Sequence, residues 1–78
     1  MDNKTKYTEA FMKSFSVDAS VAETLEYNAL PAWDSLGHMG LMAELEEAFG
    51  IQMEMDDIID FSSFRKGMEL VSKYGVQF

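Results

Sequence analysis

The sequence predicts an all-α fold, a small bundle of three main helices plus one short helix, with a long loop between the first and second helices. Three observations lead there. Apolar residues recur at helical spacing in three separate stretches, strand alternation is missing apart from a short extended candidate near Ile51 to Met55, and 78 residues is the length of one domain, read here as residues 1–78. A domain of this size buries roughly 60% of the surface its unfolded chain would expose, which leaves no room for a large enclosed active site. Cysteine is absent, so no disulfide framework supplements the core and no thiolate zinc site is available. Apolar packing must do the work alone. Hydrophobic residues make up 47% of the chain, with six Phe and seven Met, far more than a disordered acidic tail carries.

In the first helix, Tyr7, Phe11 and Phe15 stand at i, i+4 and i+8, which predicts a helix from about Asn3 to Phe15. A connection of about eighteen residues follows, Ser16 to Trp33, unusually long for a compact domain and of the kind that often carries function. Val17, Val21 and Leu25 hint at a helical turn inside it, and the single proline, Pro31, ends any such run. The second helix spans Ser35 to Phe49. Leu41, Leu45 and Phe49, joined by His38 and Met42, form its inward stripe, and Gly50 supplies the left-handed cap with Ile51 placed for the contact after it. Asp56 to Asp60 fits one helical turn with Ile58 and Ile59 inward. Ser62 or Ser63 then caps a last helix whose buried side is Phe64, Met68 and Val71, with Leu70 and Tyr74 adjacent and Gly75 closing it. Arg65 and Lys66 lie in its first turn, where the helix dipole disfavours them, so pairing with Asp56, Asp57 or Asp60 is expected.

Charge is segregated along the chain. The formal net charge is -8; from Ser14 to Phe64 there are eleven acids and no Lys or Arg, and all six basic residues lie outside that stretch. Such a field repels nucleic acid and anionic membranes and favours basic patches on other proteins. Neither an apolar run long enough to span a membrane nor a signal-peptide pattern occurs, and the expectation is a monomeric cytoplasmic protein.

Ser35 is the residue on which a functional reading turns. A serine at the start of a helix has its hydroxyl at the positive end, where free N–H groups and the dipole favour a phosphate ester. The plainer alternative is that Asp34 or Ser35 only caps the helix. Beside the inward stripe lies a second face with Leu36, Met39 and Ala43, rimmed by Glu44 and Glu47, which is suited to transient docking if exposed. Catalysis finds little support: Ser35 and His38 form an i, i+3 pair with Asp34 beside them, but there is no nucleophile elbow and no oxyanion hole, and His38 reads as a semi-buried helix residue. The acids match no calcium loop, and a lone His without Cys supports no zinc site.

The run WDSLGHMGLMAELEEAFGI, residues 33–51, resembles the acyl carrier proteins, in which the D-S-L serine carries a phosphopantetheine arm. Asp34, Ser35 and Leu36 match the attachment motif. Leu41, Leu45, Glu46, Glu47 and Phe49 match the helix that follows it, and DDIIDFSSF looks like the short acidic helix leading into the last one. The resemblance spans nearly the whole chain and implies a carrier rather than an enzyme. Its cargo would be an acyl or related carboxylic group held as a thioester on phosphopantetheine at Ser35, with coenzyme A as the source of the arm and Mg²⁺ only in the modifying transferase. The implied partners are a phosphopantetheinyl transferase and a ligase, acyltransferase or synthase with a basic docking patch, meeting Leu36, Met39, Ala43, Glu44, Glu47, Asp56 and Asp57. An aminoacyl or D-alanyl carrier, an unmodified acidic interaction module and a small Ser-His hydrolase stay open as rivals. Trp33, Gly37 and Gly40 stand where fatty-acid carriers usually have a small residue and acids. That departure points to a specialised carrier, and Gly37→Asp is expected to stabilise the helix.

Overall fold

The computed structural model describes residues 2–78, which form five helices: α1 (Asn3–Phe15), α2 (Ala19–Ala22), α3 (Ser35–Phe49), α4 (Met55–Asp60) and α5 (Phe64–Ser72). The three long helices and the short acidic one are those expected. The helical turn hinted at inside the long connection is α2, started by Asp18, whose carboxylate accepts the Val21 N–H at 3.0 Å. Its buried residue is Ala22, with Leu25 beyond it, while Val21 is exposed.

Phe11 of α1 is the hub of the core. Its ring lies 4.9 to 6.1 Å from the rings of Tyr7, Phe15, Trp33, Phe61 and Phe64, mostly in the tilted and edge-on arrangements that aromatic quadrupoles favour. Leu41, Met42 and Leu45 of α3 and Leu70 and Val71 of α5 close around this cluster. The buried Tyr7 hydroxyl donates to the Phe64 carbonyl at 2.7 Å, and burial pushes that phenol far above its ordinary titration range.

Gly50 ends α3 in the left-handed region at φ 62°, and the Ile51 N–H returns to the Glu46 carbonyl at 3.1 Å, the closure a glycine at that position permits. The extended candidate at Ile51 to Met55 forms no strand among the described residues. Instead, the Glu46 carboxylate holds the Met53 N–H at 2.8 Å. One isolated antiparallel bridge, Glu26 with Ser63, ties the long connection to the entry of α5, and Tyr27 N–H donates to the Ser62 carbonyl beside it.

Two expectations about α4 are corrected. Ile59 was expected inward but is 70% exposed. The inward line of this six-residue helix runs from Asp57 to Phe61, both buried; at about 100° per residue Ile58 flanks that line and Ile59 is turned away. Nor do Arg65 and Lys66 make an ion pair among the described residues. Asp57 instead pairs with Lys73 at 2.7 Å and accepts a hydrogen bond from the Tyr74 hydroxyl, because the far end of α5, not its start, returns to α4. A cation at that C-terminal end also suits the helix dipole.

Candidate functional site

Asp34 caps α3: its carboxylate accepts the Gly37 N–H at 2.9 Å, and its carbonyl accepts the His38 N–H at 2.8 Å. Ser35 is therefore the first helical residue and is exposed, with its hydroxyl released from the capping role that the sequence left open.

Trp33 fixes the approach to Ser35. It is fully buried, stacked on Phe15 at 5.1 Å and edge-on to Phe11 at 5.5 Å. Its indole N–H donates to His38 Nδ1 at 2.9 Å, and His38 Nε2–H donates to the Ile58 carbonyl at 2.7 Å. One ring nitrogen must accept and the other donate, which only the neutral imidazole with its proton on Nε2 satisfies. Both nitrogens are thereby committed, and His38 has none left to take a proton from Ser35. The buried polar chain Trp33–His38–Ile58 was not foreseen; a Trp five residues before a His on a helix is its only trace in the sequence.

Gly37 is explained inside the chain. A Cβ there would run into the backbone carbonyl of Ala32, since the Pro31–Trp33 segment folds against the first turn of α3. The expected stabilisation by Gly37→Asp is thus reversed, for any side chain would push that segment away. Gly40 faces open space.

Between α3 and α4 lies an apolar groove of about 370 Å³. Ser35 and Met39 form its α3 wall and Met55, Ile58 and Ile59 its α4 wall; His38 and Phe61 make the floor, and Tyr27 and Ser62 complete it. Outside the groove, Leu36 is 85% exposed, and Ala43, Glu47 and Asp56 are exposed as well. The structure does not bring all the expected surface residues together. Glu44 is half-buried and reaches Lys13 of α1 at 3.4 Å. Asp57 is 6% exposed and held by α5. Met55 and Ile59 take their place beside Met39, and only their apolar character on an acidic segment signalled them. Among the described residues there is no cluster of His, Asp and Glu able to hold a metal ion, and no helix long and apolar enough to cross a membrane.

A family model described as the phosphopantetheine attachment site matches residues 33–71, from the buried Trp33 to the last buried residue of α5. No curated protein and no solved structure matches the chain.

Proposed function

The chain belongs to the phosphopantetheine attachment-site family, whose model covers half of it, and from that premise we propose that it carries an acyl group as a thioester on an arm joined to Ser35. Membership implies a covalently held phosphopantetheine and, with it, a phosphopantetheinyl transferase and biosynthetic enzymes as partners. The observation that carries the assignment to Ser35 is that an exposed hydroxyl stands first in α3 while Asp34 does the capping. The unpaired amides of a first helical turn and the positive end of the dipole favour the phosphodiester that would form there.

In the proposed modification, Ser35 Oγ bonds to the phosphorus of coenzyme A within a Mg²⁺-dependent transferase. The bond to the adenosine bisphosphate breaks, and the hydroxyl proton passes to the transferase. When attached, the arm supplies a terminal thiol for thioester chemistry. The domain itself contributes a nucleophile and a surface. That surface is Leu36, Met39, Ala43, Glu47 and Asp56, joined by Met55 and Ile59: an apolar strip with acids at its edge, suited to brief contacts with basic partners. Gly37, explained by Ala32, no longer bears on whether the pathway is specialised.

Incubation with coenzyme A, Mg²⁺ and a broad-specificity transferase should add one phosphopantetheine mass to the wild type and none to Ser35→Ala. Because the chain has no cysteine, a thiol reagent offers an independent count. Unfolded apo protein should show no thiol and fully modified protein one. Modification of the alanine variant would overturn the assignment.

A further inference from the structure

We infer that His38 is a positioning residue for the modification of Ser35: its ring, set by Trp33, fastens α4 beside the first turn of α3, so that a transferase meets the two helices as one surface. This presupposes attachment at Ser35. His38 follows Ser35 by three residues on α3, a spacing that makes them neighbours on the helix surface, and both line the groove whose far wall is α4. Because both ring nitrogens are committed elsewhere, whatever His38 does for Ser35 it does through α4.

α4 needs such a tie. Of its six residues only Asp57 is buried, while Met55 and Ile59 are 66% and 70% exposed, too little apolar burial to seat a helix this short. The Asp57 carboxylate is bound by Lys73 and Tyr74, and the Glu54 N–H by Tyr74. Those bonds join α4 to the end of α5 and leave its spacing from α3 unset. Among the described residues, the one hydrogen bond from α3 to α4 is His38 Nε2–H to the Ile58 carbonyl, at 2.7 Å. That carbonyl is among the last four of α4, which lack a regular partner within the helix; the Phe61 N–H reaches it at 3.3 Å, and His38 supplies the closer donor.

Trp33 decides which nitrogen does this. Its buried indole N–H donates to Nδ1 at 2.9 Å, so the proton of the neutral ring sits on Nε2, the nitrogen aimed at Ile58. The ring plane is held as well, nearly parallel to the indole at 6.2 Å and edge-on to Phe61 at 6.0 Å and Tyr27 at 5.4 Å. The consequence falls on the partner. Leu36 and Met39 are exposed on α3, and Met55 and Ile59 on α4, so an enzyme that grips both helices while reaching Ser35 reads their spacing. A displaced α4 lowers the fraction of molecules ready to bind, and apparent affinity falls by that fraction. Ser35 keeps its own chemistry, because the start of α3 is capped by Asp34 and not by the His38 ring.

The test follows transfer from coenzyme A by a Mg²⁺-dependent transferase, with this chain as the varied substrate and mass spectrometry counting arms. None should appear on Ser35→Ala; if one does, attachment at Ser35 is itself wrong. With that control satisfied, His38→Leu, which fills the space but makes neither hydrogen bond, should raise KM about tenfold, as when α4 is seated about a tenth of the time, and leave kcat unchanged. His38→Gln should bring KM back to within about twofold of the wild type, because an amide can accept from the indole and donate to the carbonyl. Retained amide protection at Leu41 and Leu45 shows that α3 is folded in each variant. Nitrogen NMR of the wild-type imidazole should place the proton on Nε2, and it decides the matter together with the Gln variant if His38→Leu lacks that protection. A proton on Nδ1 would overturn the proposal, as would a KM for His38→Leu no higher than the wild type's, a Gln variant as poor as the Leu one, or a loss in kcat instead of a rise in KM.

Discussion

The two helices that wall the groove are held by different physics. α3 has fifteen residues, a side-chain cap at its start and a left-handed glycine at its end, and it buries Leu41, Met42 and Leu45 completely or nearly so. α4 has six residues, no side-chain cap bond at Glu54, and only Asp57 buried within its span. Isolated helices shorter than about 12–15 residues are marginal in water, so α4 persists through its attachments: His38 to the Ile58 carbonyl, Lys73 and Tyr74 to Asp57, and the Tyr74 hydroxyl accepting the Glu54 N–H at 2.8 Å. One wall is fixed by packing and the other by a few polar ties. The serine proposed to carry the arm stands on the fixed wall, and the wall able to yield faces it across the groove.

The comparison breaks most visibly at Trp33. Trp33→Ala removes a fully buried ring and should cost about 3–5 kcal/mol, a large share of the roughly 5–15 kcal/mol that holds a domain together. Trp33→Phe keeps most of the packing but leaves His38 Nδ1 without its donor, and should cost about 1–3 kcal/mol. Urea titration of both variants gives the order. Were the phenylalanine variant to cost as much as the alanine one, the hydrogen bond rather than the packing would hold the α3 wall.

Two glycines on α3 sharpen the contrast, because the same substitution should act with opposite sign three residues apart. Gly37→Ala forces a methyl against the Ala32 carbonyl and should destabilise by about 1–3 kcal/mol, as overpacking does. Gly40→Ala meets nothing and should stabilise by about 0.8–1 kcal/mol through helix propensity. Thermal melts of the two variants decide the matter, and a gain at Gly37 would mean that the Pro31–Trp33 segment is not seated against α3.

What the sequence made legible was whatever rests on local repetition. The spacing of Tyr7, Phe11 and Phe15 and of Leu41 and Leu45 places α1 and α3 with the bounds observed, since a helix long enough to show its period also shows its ends. α4 is too short to show a period, and Ile58 and Ile59 could not be told apart until Phe61 defined the inward line. Features joining distant segments were hidden for the same reason. Trp33 and Gly37 read as departures from the pattern of the fatty-acid carriers, and Arg65 and Lys66, not Lys73, were expected to pair with the acids of α4. Each is explained by a residue that only folding brings near. The tripeptide Asp34-Ser35-Leu36 was plain in the sequence, but the division of labour between its first two residues was not, because both types cap helices equally well.

The weakest expected effect is local and belongs to the yielding wall. The Lys73 ammonium first, and then the Tyr74 hydroxyl, hold the Asp57 carboxyl below its ordinary value of 3.8, so the folded state favours the charged form. A depressed carboxylate contributes its stability fully above the unfolded value and loses it as pH falls through the lower folded value. On the alkaline side Lys73 and Tyr74 are both raised, from 10.5 and 10.0, and their contribution is complete below those values and lost as pH rises through the raised ones. The ties on α4 should therefore be strongest between about pH 4 and pH 10. Asp2 is also lowered, by the Thr5 side chain and then the Thr5 N–H, and Asp18 by the Val21 N–H and then the Ser20 hydroxyl, so a global melt in acid mixes several sites and cannot isolate α4. Amide exchange corrected for intrinsic rates can: on acidification protection at Ile58 should fall before protection at Leu41 and Leu45. In Asp57→Asn the Ile58 amide should already be weakly protected at neutral pH and should show no separate acid step. If Ile58 and Leu45 lose protection together in the wild type, α4 is no looser than α3, and the two walls of the groove open only when the whole bundle does.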